Sequence, residues 1–260
     1  MELNGKIAFI TGGGGGIGTG LAQAFAEKGM RLVLADLDEE SARCAVEPFG
    51  DQAIALTLDV TSLQSWSDAR EKTASHFGPP DVLCNNAGVS IPWQPLIDLS
   101  PEQFDHAIKA NLYGVYNGIK TFAPDMIARR SGHIVNTSSF NGLIAMGTMG
   151  GYSASKFAVT GLSVALRQEM AEHGIGVSTV YPGATKSRML SAIEDRHAKR
   201  MRSQVAMEPL WIGRAVVSAI ENNAPHVISH PHLRPAYDAW VAELSASFGD
   251  PADPDYRPEI

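Results

Sequence analysis

The chain has 260 residues, of which 44% are hydrophobic and 19% charged, the composition of a soluble globular protein with a substantial core. A net charge of −7 and a pI near 5.6 exclude general affinity for nucleic acid or anionic membrane. No apolar run is long enough to span a bilayer and the first residues lack a signal-peptide layout, so a cytoplasmic protein is expected.

Lys6–Thr11 is a short β-branched run that predicts a strand, and Gly12–Gly18 is almost all glycine. Ile17 to about Lys28 carries helical periodicity (Ile17, Leu21, Ala24, Phe25) and closes at Gly29, and Arg31–Asp36 predicts a second strand. Strand, glycine turn, helix and strand with a terminal acid make a dinucleotide-binding βαβ unit. The glycines let the backbone turn tightly against a pyrophosphate, and the helix start offers N–H groups and a positive dipole end. Asp36, twenty residues beyond Gly16, is placed to accept from the adenosine ribose hydroxyls. A 2′-phosphate there would meet like charge, the glycine loop holds no Arg or Lys, and Leu37 follows the acid. NAD is therefore favoured over NADP.

Ala53–Leu58 predicts the third strand, ending at Asp59-Val60, and Ser62 to about Phe77 a helix with Thr61 or Ser62 as N-cap. Asp81–Cys84 predicts a buried fourth strand leading to Asn85-Asn86-Ala87-Gly88. One long helix from Glu102 to about Ile127 is expected to contain Asn111. His133–Asn136 and Gly176–Val180 predict two further strands, ending at Thr137-Ser138-Ser139 and Tyr181-Pro182-Gly183. Cys44 and Cys84 are read as small core residues rather than a disulfide or metal pair. Regular alternation of strands and helices predicts one α/β domain over 1–248. In it a doubly wound parallel sheet of about seven strands lies between helices, with ligand sites beyond the strand C-termini. Residues 249–260 read as an irregular tail.

Gly151-Tyr152-Ser153-Ala154-Ser155-Lys156 opens a predicted helix running to about Ala171. At a separation of four, the Tyr152 phenol and the Lys156 ammonium share one helix face. A tyrosine ordinarily titrates near pH 10, and a cation one turn away favours the phenolate. The pair is suited to passing a proton to or from an alcohol oxygen.

The glycine run aligns in two registers, Gly13-x-Gly15-x-x-Gly18 and Thr11-Gly12-x-x-x-Gly16-Ile17-Gly18. The second, together with Asn-Asn-Ala-Gly and Tyr-x-x-x-Lys, resembles the short-chain dehydrogenase/reductase family over roughly residues 5–230. The resemblance implies NAD(P)-dependent oxidoreduction of a CH–OH group, with a catalytic tetrad of Asn111, Ser139, Tyr152 and Lys156. Ser139 rather than Ser138 is chosen because it lies thirteen residues before Tyr152. The resemblance also implies adenine contacts from Asp59 and Val60, ribose and backbone contacts from Asn86, Ala87 and Gly88, and nicotinamide contacts from Pro182 and Gly183. Lys156 is implied to bind the nicotinamide ribose. The family often reads Pro-Gly-x-Val-x-Thr, whereas this chain has Pro182-Gly183-Ala184-Thr185-Lys186-Ser187. Either Thr185 or Ser187 is therefore left as the hydroxyl contact. A homotetramer or dimer is implied, because in the family the Asn111 and Tyr152 helices pack against a neighbour's.

Substrate contacts are expected from Ser90–Leu96, Phe140–Gly150 and a lid at Arg188–Met207, through Ile91, Trp93, Leu143, Met146, Met149, Met189, Leu190, Met201 and Met207. Such walls suit a secondary alcohol or ketone with a bulky apolar or aromatic group. The C-terminal stretch looks distantly like bacterial family members that oxidise benzylic alcohols of lignin-derived aromatics. The basic run Arg196–Arg202 reads as a solvated helix face, with an anionic substrate or a coenzyme A group as the alternative. His230-Pro231-His232, lacking nearby Cys or clustered acids, is not expected to hold a metal, and Pro231 is read as starting the last helix, about His232–Phe248. Alternatives on the same scaffold are a catalytically silent NAD-binding sensor and an epimerase, dehydratase or enoyl reductase.

Overall fold

The computed structural model describes residues 1–191 and 206–248. The basic run 196–202, Met201 and the tail 249–260 thus lie outside the described residues. Among the described residues, those within Met1–Ser229 form one compact α/β unit, and those from His230 to Phe248 form a second.

The first unit is built on β1 (Ile7–Thr11), β2 (Arg31–Asp36), β3 (Ala53–Thr57), β4 (Val82–Asn85), β5 (His133–Thr137), β6 (Gly176–Tyr181) and β7 (His226–Ile228). All seven are parallel, in the order β3-β2-β1-β4-β5-β6-β7. The chain winds outward from β1 to β3, then returns to lay β4 on the other side of β1. That reversal opens a crevice above the C-terminal ends of β1 and β4, where open α/β sheets receive ligands.

Alternate strand residues face opposite layers, so each face buries its own core. On one face Ala8, Ile10, Leu32, Leu34, Val82 and Val135 pack beneath α1 (Gly16–Ala26) and a late helix, Pro209–Glu221, through Leu21, Phe25, Ile212 and Val216. On the other, Ile7, Phe9, Val33, Leu83 and Ile134 meet α3 (Leu63–His76), α5 (Gly114–Arg129) and α6 (Gly150–Ala171). There Phe9, Trp66 and Phe122 form an aromatic cluster, with Phe9 and Phe122 ring centres 4.9 Å apart. Among the described residues no helix is long and apolar enough to cross a membrane.

Several expectations change. The long helix around Asn111 is α4 (Pro101–Ile108) and α5, joined through a π-helical turn at Lys109–Tyr113 that contains Asn111. Helical periodicity alone does not register one widened turn, because α4 and α5 each keep it on their own side. Cys44 lies in α2 (Glu39–Val46) but is exposed, with its thiol against Glu40, so it is not a core residue; Cys84 is buried in β4. Ser62, rather than Thr61, caps α3 by accepting from Ser65 N. In the second unit, Pro231–Leu233 is a 3-10 turn that precedes the helix Arg234–Ser245.

A buried polar chain ties α6 to the sheet. Asn85 Nδ2 donates to Asn136 Oδ1 (2.9 Å), Asn136 Nδ2 to Ser163 Oγ (3.0 Å), and Ser163 Oγ to the Val159 carbonyl (2.6 Å). At the opposite end of β5, His133 is 2% exposed. Ser178 Oγ gives its proton to the Ala224 carbonyl at 2.6 Å, so His133 Nε2, 2.8 Å from that oxygen, carries the proton and donates. Burial, with a smaller push from Arg167, lowers the imidazole pKa to about 4. Its unfolded value is higher, so the neutral form is favoured in the fold. The stability it confers is present above pH ~6.5 and is lost as pH falls toward 4, up to about 3 kcal/mol. Urea denaturation of wild type and His133→Gln at pH 7 and pH 4.5 should show a smaller acid loss in the variant. Equal losses would show that His133 does not drive it.

Candidate functional site

The crevice above β1 and β4 gathers most of the residues singled out above. β1 ends at Thr11, whose Oγ1 accepts from both Asn86 N and Ala87 N (2.9 Å each) and donates to the Cys84 carbonyl. Asn86 Nδ2 returns a bond to Thr11 O at 3.0 Å. The exits of β1 and β4 are thereby stitched together. Gly12 adopts φ +64°, and a Cβ on Gly18 would stand 2.1 Å from the Gly12 carbonyl oxygen, so no larger residue fits at that crossing. α1 then begins without a side-chain cap. Its first N–H groups and dipole are left for an anion, the arrangement a pyrophosphate requires.

Asp36, at the end of β2, accepts from Gly14 N through Oδ2 (3.0 Å) and from Asp38 N through Oδ1 (3.2 Å). Two backbone donors fix it as an acceptor beside the glycine turn, with Leu37 exposed next to it. Asp59 is tied back to Thr61, and the Val60 carbonyl accepts from Trp66 Nε1 and Asn117 Nδ2. These bonds fix the loop after β3 beside that acid. The cradle, the free helix start and the acid together fit a dinucleotide.

The second half of the site is carried by the π-helical turn before α5 and by α6. Lys156 is 3% exposed, donates from Nζ to the Thr137 carbonyl at 2.9 Å, and stands 5.8 Å from the Tyr152 ring centre. Burial lowers its pKa to about 8, so it keeps its charge at neutral pH. Asn111 Oδ1 accepts from Val89 N (2.8 Å), and its Nδ2 donates to the Val89 carbonyl and to Ser155 Oγ. A Cβ on Gly88 would lie 3.0 Å from Asn111 Oδ1 and 3.3 Å from Lys156 Nζ. Asn111, Lys156 and the end of β4 therefore meet at one point. Of the two serines after β5, Ser138 is buried and bonded to the Lys156 carbonyl and Thr160 Oγ1. Ser139 is half-buried and accepts from Asn141 N, which keeps its hydroxyl proton available.

After β6, Pro182 O accepts from Phe140 N. Thr185 Oγ1 is turned back onto the Gly183 carbonyl. Ser187 lies against the glycine turn, 2.9 Å from where a Gly16 Cβ would be. Among the apolar candidates, Ile91 and Met149 are buried, the Met149 sulfur taking a bond from Asn141 Nδ2; Trp93 and Leu143 are half-buried, and Met146 and Met189 are exposed. Met207 is half-buried and packs against the core, and its backbone pairs with Ala184 and Lys186. A cleft of about 610 Å³ between α3 and α5 lies away from these groups and is lined by the ion-paired Arg70 and Asp125. Residues not anticipated from sequence are Thr137, whose carbonyl holds Lys156, and Ser155. Ser155 lies within the Tyr152–Lys156 motif, but nothing local marks its partner 44 residues away.

A family model for short chain dehydrogenase matches residues 6–198. The chain belongs to the short-chain dehydrogenase family. Its relatives in this family of oxidoreductases include a C alpha-dehydrogenase from Sphingobium sp., 35% identical over 254 residues, covering 90% of this chain and 83% of that protein. A short-chain dehydrogenase/reductase from Burkholderia phymatum, solved in complex with NAD, superposes with a TM-score of 0.86 at 28% identity, covering 97% of this chain and 99% of that one. The apo form of LigD from Sphingobium sp. superposes with a TM-score of 0.85 at 31% identity, covering 96% and 100%.

In this short-chain dehydrogenase, Lys156 holds a charge that burial opposes. Its pKa falls from 10.5 unfolded to about 8 folded, so carrying the charge at pH 7 costs the fold about 3 kcal/mol. Lys156→Met is expected to match or exceed the wild-type melting temperature at pH 7. A fall of several degrees would show that the Thr137 bond outweighs the desolvation.

Proposed function

We propose that this oxidoreductase interconverts a secondary alcohol and a ketone with NAD, through Tyr152, Lys156, Ser139 and Asn111. The observation that carries the reading is the meeting of Asn111 Oδ1 and Lys156 Nζ at Gly88, one helical turn from Tyr152 and beside the glycine cradle. The adenosine half would be held by Thr11, Gly12, Gly16, Ile17, Gly18, Asp36, Leu37, Asp59, Val60, Asn86 and Ala87. The nicotinamide half would be held by Gly88, Lys156, Pro182, Gly183 and Thr185 or Ser187. When bound, the nicotinamide supplies the acceptor for the hydride leaving the carbinol carbon.

In oxidation, Tyr152 takes the alcohol proton as general base. Lys156, charged and buried nearby, favours the phenolate that this requires. Ser139 donates its free hydroxyl proton to the substrate oxygen. Asn111 holds the Val89 peptide and so shapes the wall on which substrate and nicotinamide meet. In reduction the same groups run in reverse, Tyr152 protonating the developing alkoxide. The half-buried Trp93 and Leu143 with the exposed Met146 and Met189 favour a substrate bearing a bulky apolar or aromatic group, a reading the C alpha-dehydrogenase relative supports. Tyr113, Tyr116 and Val164 leave large apolar surface on the turn before α5, on α5 and on α6, which supports a homotetramer or dimer. Light scattering at the monomer mass would refute it.

NAD reduction followed across a panel of aryl and alkyl secondary alcohols should reveal turnover that Tyr152→Phe abolishes. Activity retained by Tyr152→Phe would remove the general-base role, and a panel without turnover but with NAD bound would favour a silent sensor. Asp36→Ala should weaken the preference for NAD over NADP by about tenfold or more in kcat/KM, because the carboxylate no longer opposes a 2′-phosphate. An unchanged preference would move cofactor selection elsewhere.

A further inference from the structure

We propose that Ser155 is a positioning residue for this reaction, a single buried hydroxyl that locks the Tyr152 turn of α6 to Asn111. The inference rests on the roles proposed above for Tyr152 and Asn111. Ser155 is wholly buried, and its Oγ lies 2.7 Å from the Tyr152 carbonyl and 3.0 Å from Asn111 Nδ2. A hydroxyl has one proton and a carbonyl can only accept, so that proton goes to Tyr152 and Asn111 must be the donor. A helical serine bonded back to its own preceding turn is ordinary. The second bond, from a different helix, is what gives Ser155 a task.

The consequence follows from counting donors. Both N–H bonds of Asn111 are used, one on Ser155 and one on the Val89 carbonyl, while its oxygen accepts from Val89 N. Asn111 is wholly buried, so an N–H deprived of its acceptor is poorly tolerated. Without that acceptor the amide is held by Val89 alone, and its plane can shift relative to the point by Gly88 that Oδ1 shares with Lys156 Nζ. The start of α6 would also lose this tie across to the π-helical turn that carries Asn111. Ser155 thus joins the proton acceptor, the lysine beside it and the Val89 wall into one geometry without touching the substrate.

Ser163 provides a matched control. It too is a buried serine of α6, bonded back to a carbonyl of its own helix and accepting from an asparagine Nδ2, but its partner is Asn136 of the sheet. With the full-length enzyme and its best alcohol, Ser155→Ala is expected to lower kcat by about tenfold or more and to displace the pH profile of kcat. NAD affinity, read by calorimetry, should stay within about twofold, since no cradle residue is touched. Ser155→Cys, which keeps the shape with a weaker acceptor, should fall between wild type and the alanine variant and guards against a folding defect. Ser163→Ala should lower the melting temperature and leave the pH profile in place. An unmoved profile in both Ser155 variants, or a loss explained wholly by weaker NAD binding, would overturn the assignment. Tyr152→Phe run alongside separates the two readings, because full activity there removes the base role whatever Ser155 does.

Discussion

A buried ammonium group organises this protein. Lys156 sits almost wholly out of water, and the Thr137 carbonyl accepts from its Nζ at 2.9 Å. Such a charge is tolerated only where surrounding dipoles are held in place. Two contacts supply that rigidity where α6 meets the end of β5. Thr137, the last residue of β5, takes an Nζ proton, and Ser138, just beyond it, grips the Lys156 carbonyl. The segment leaving β5 thus holds the stretch of α6 that carries Tyr152 and Lys156.

The same logic extends across the switch point. Thr11 and Asn86 bind the exits of β1 and β4 to each other, and Asn111 reaches from its π turn to Val89, just beyond β4. Thr11 and Asn111 are buried and need their partners, and with the half-buried Asn86 they form a polar lattice that leaves little freedom at the mouth of the site. Precision is gained where stability is surrendered, as the depressed pKa of Lys156 records. The apolar layers below compensate through Phe9, Trp66, Phe122 and their neighbours.

Much of this is legible in the sequence. Strand and helix alternation, the glycine turn, Asp36 at the end of β2 and the Tyr152–Lys156 spacing are local patterns, and local patterns survive in one dimension. Where sequence reading erred, the cause was non-local or hidden by averaging. The widened turn at Asn111 keeps the periodicity on either side of it. The place of Met207 is likewise set non-locally, by pairing of its backbone with residues about twenty positions earlier. Cys44 sits on a helix whose buried face is narrow, and it falls on the other side.

By itself the sequence determined the fold class and the residue types at each strand end, because periodicity, turn chemistry and motif spacing act over a few residues. Only the tertiary structure decided which groups face one another. The strand order that places β4 beside β1, the convergence of Asn111 and Lys156 on Gly88, and the bond from Asn111 to Ser155 each join segments far apart in the chain. Their partners are selected by burial and by the need to satisfy every buried donor, conditions that exist only once the layers have packed.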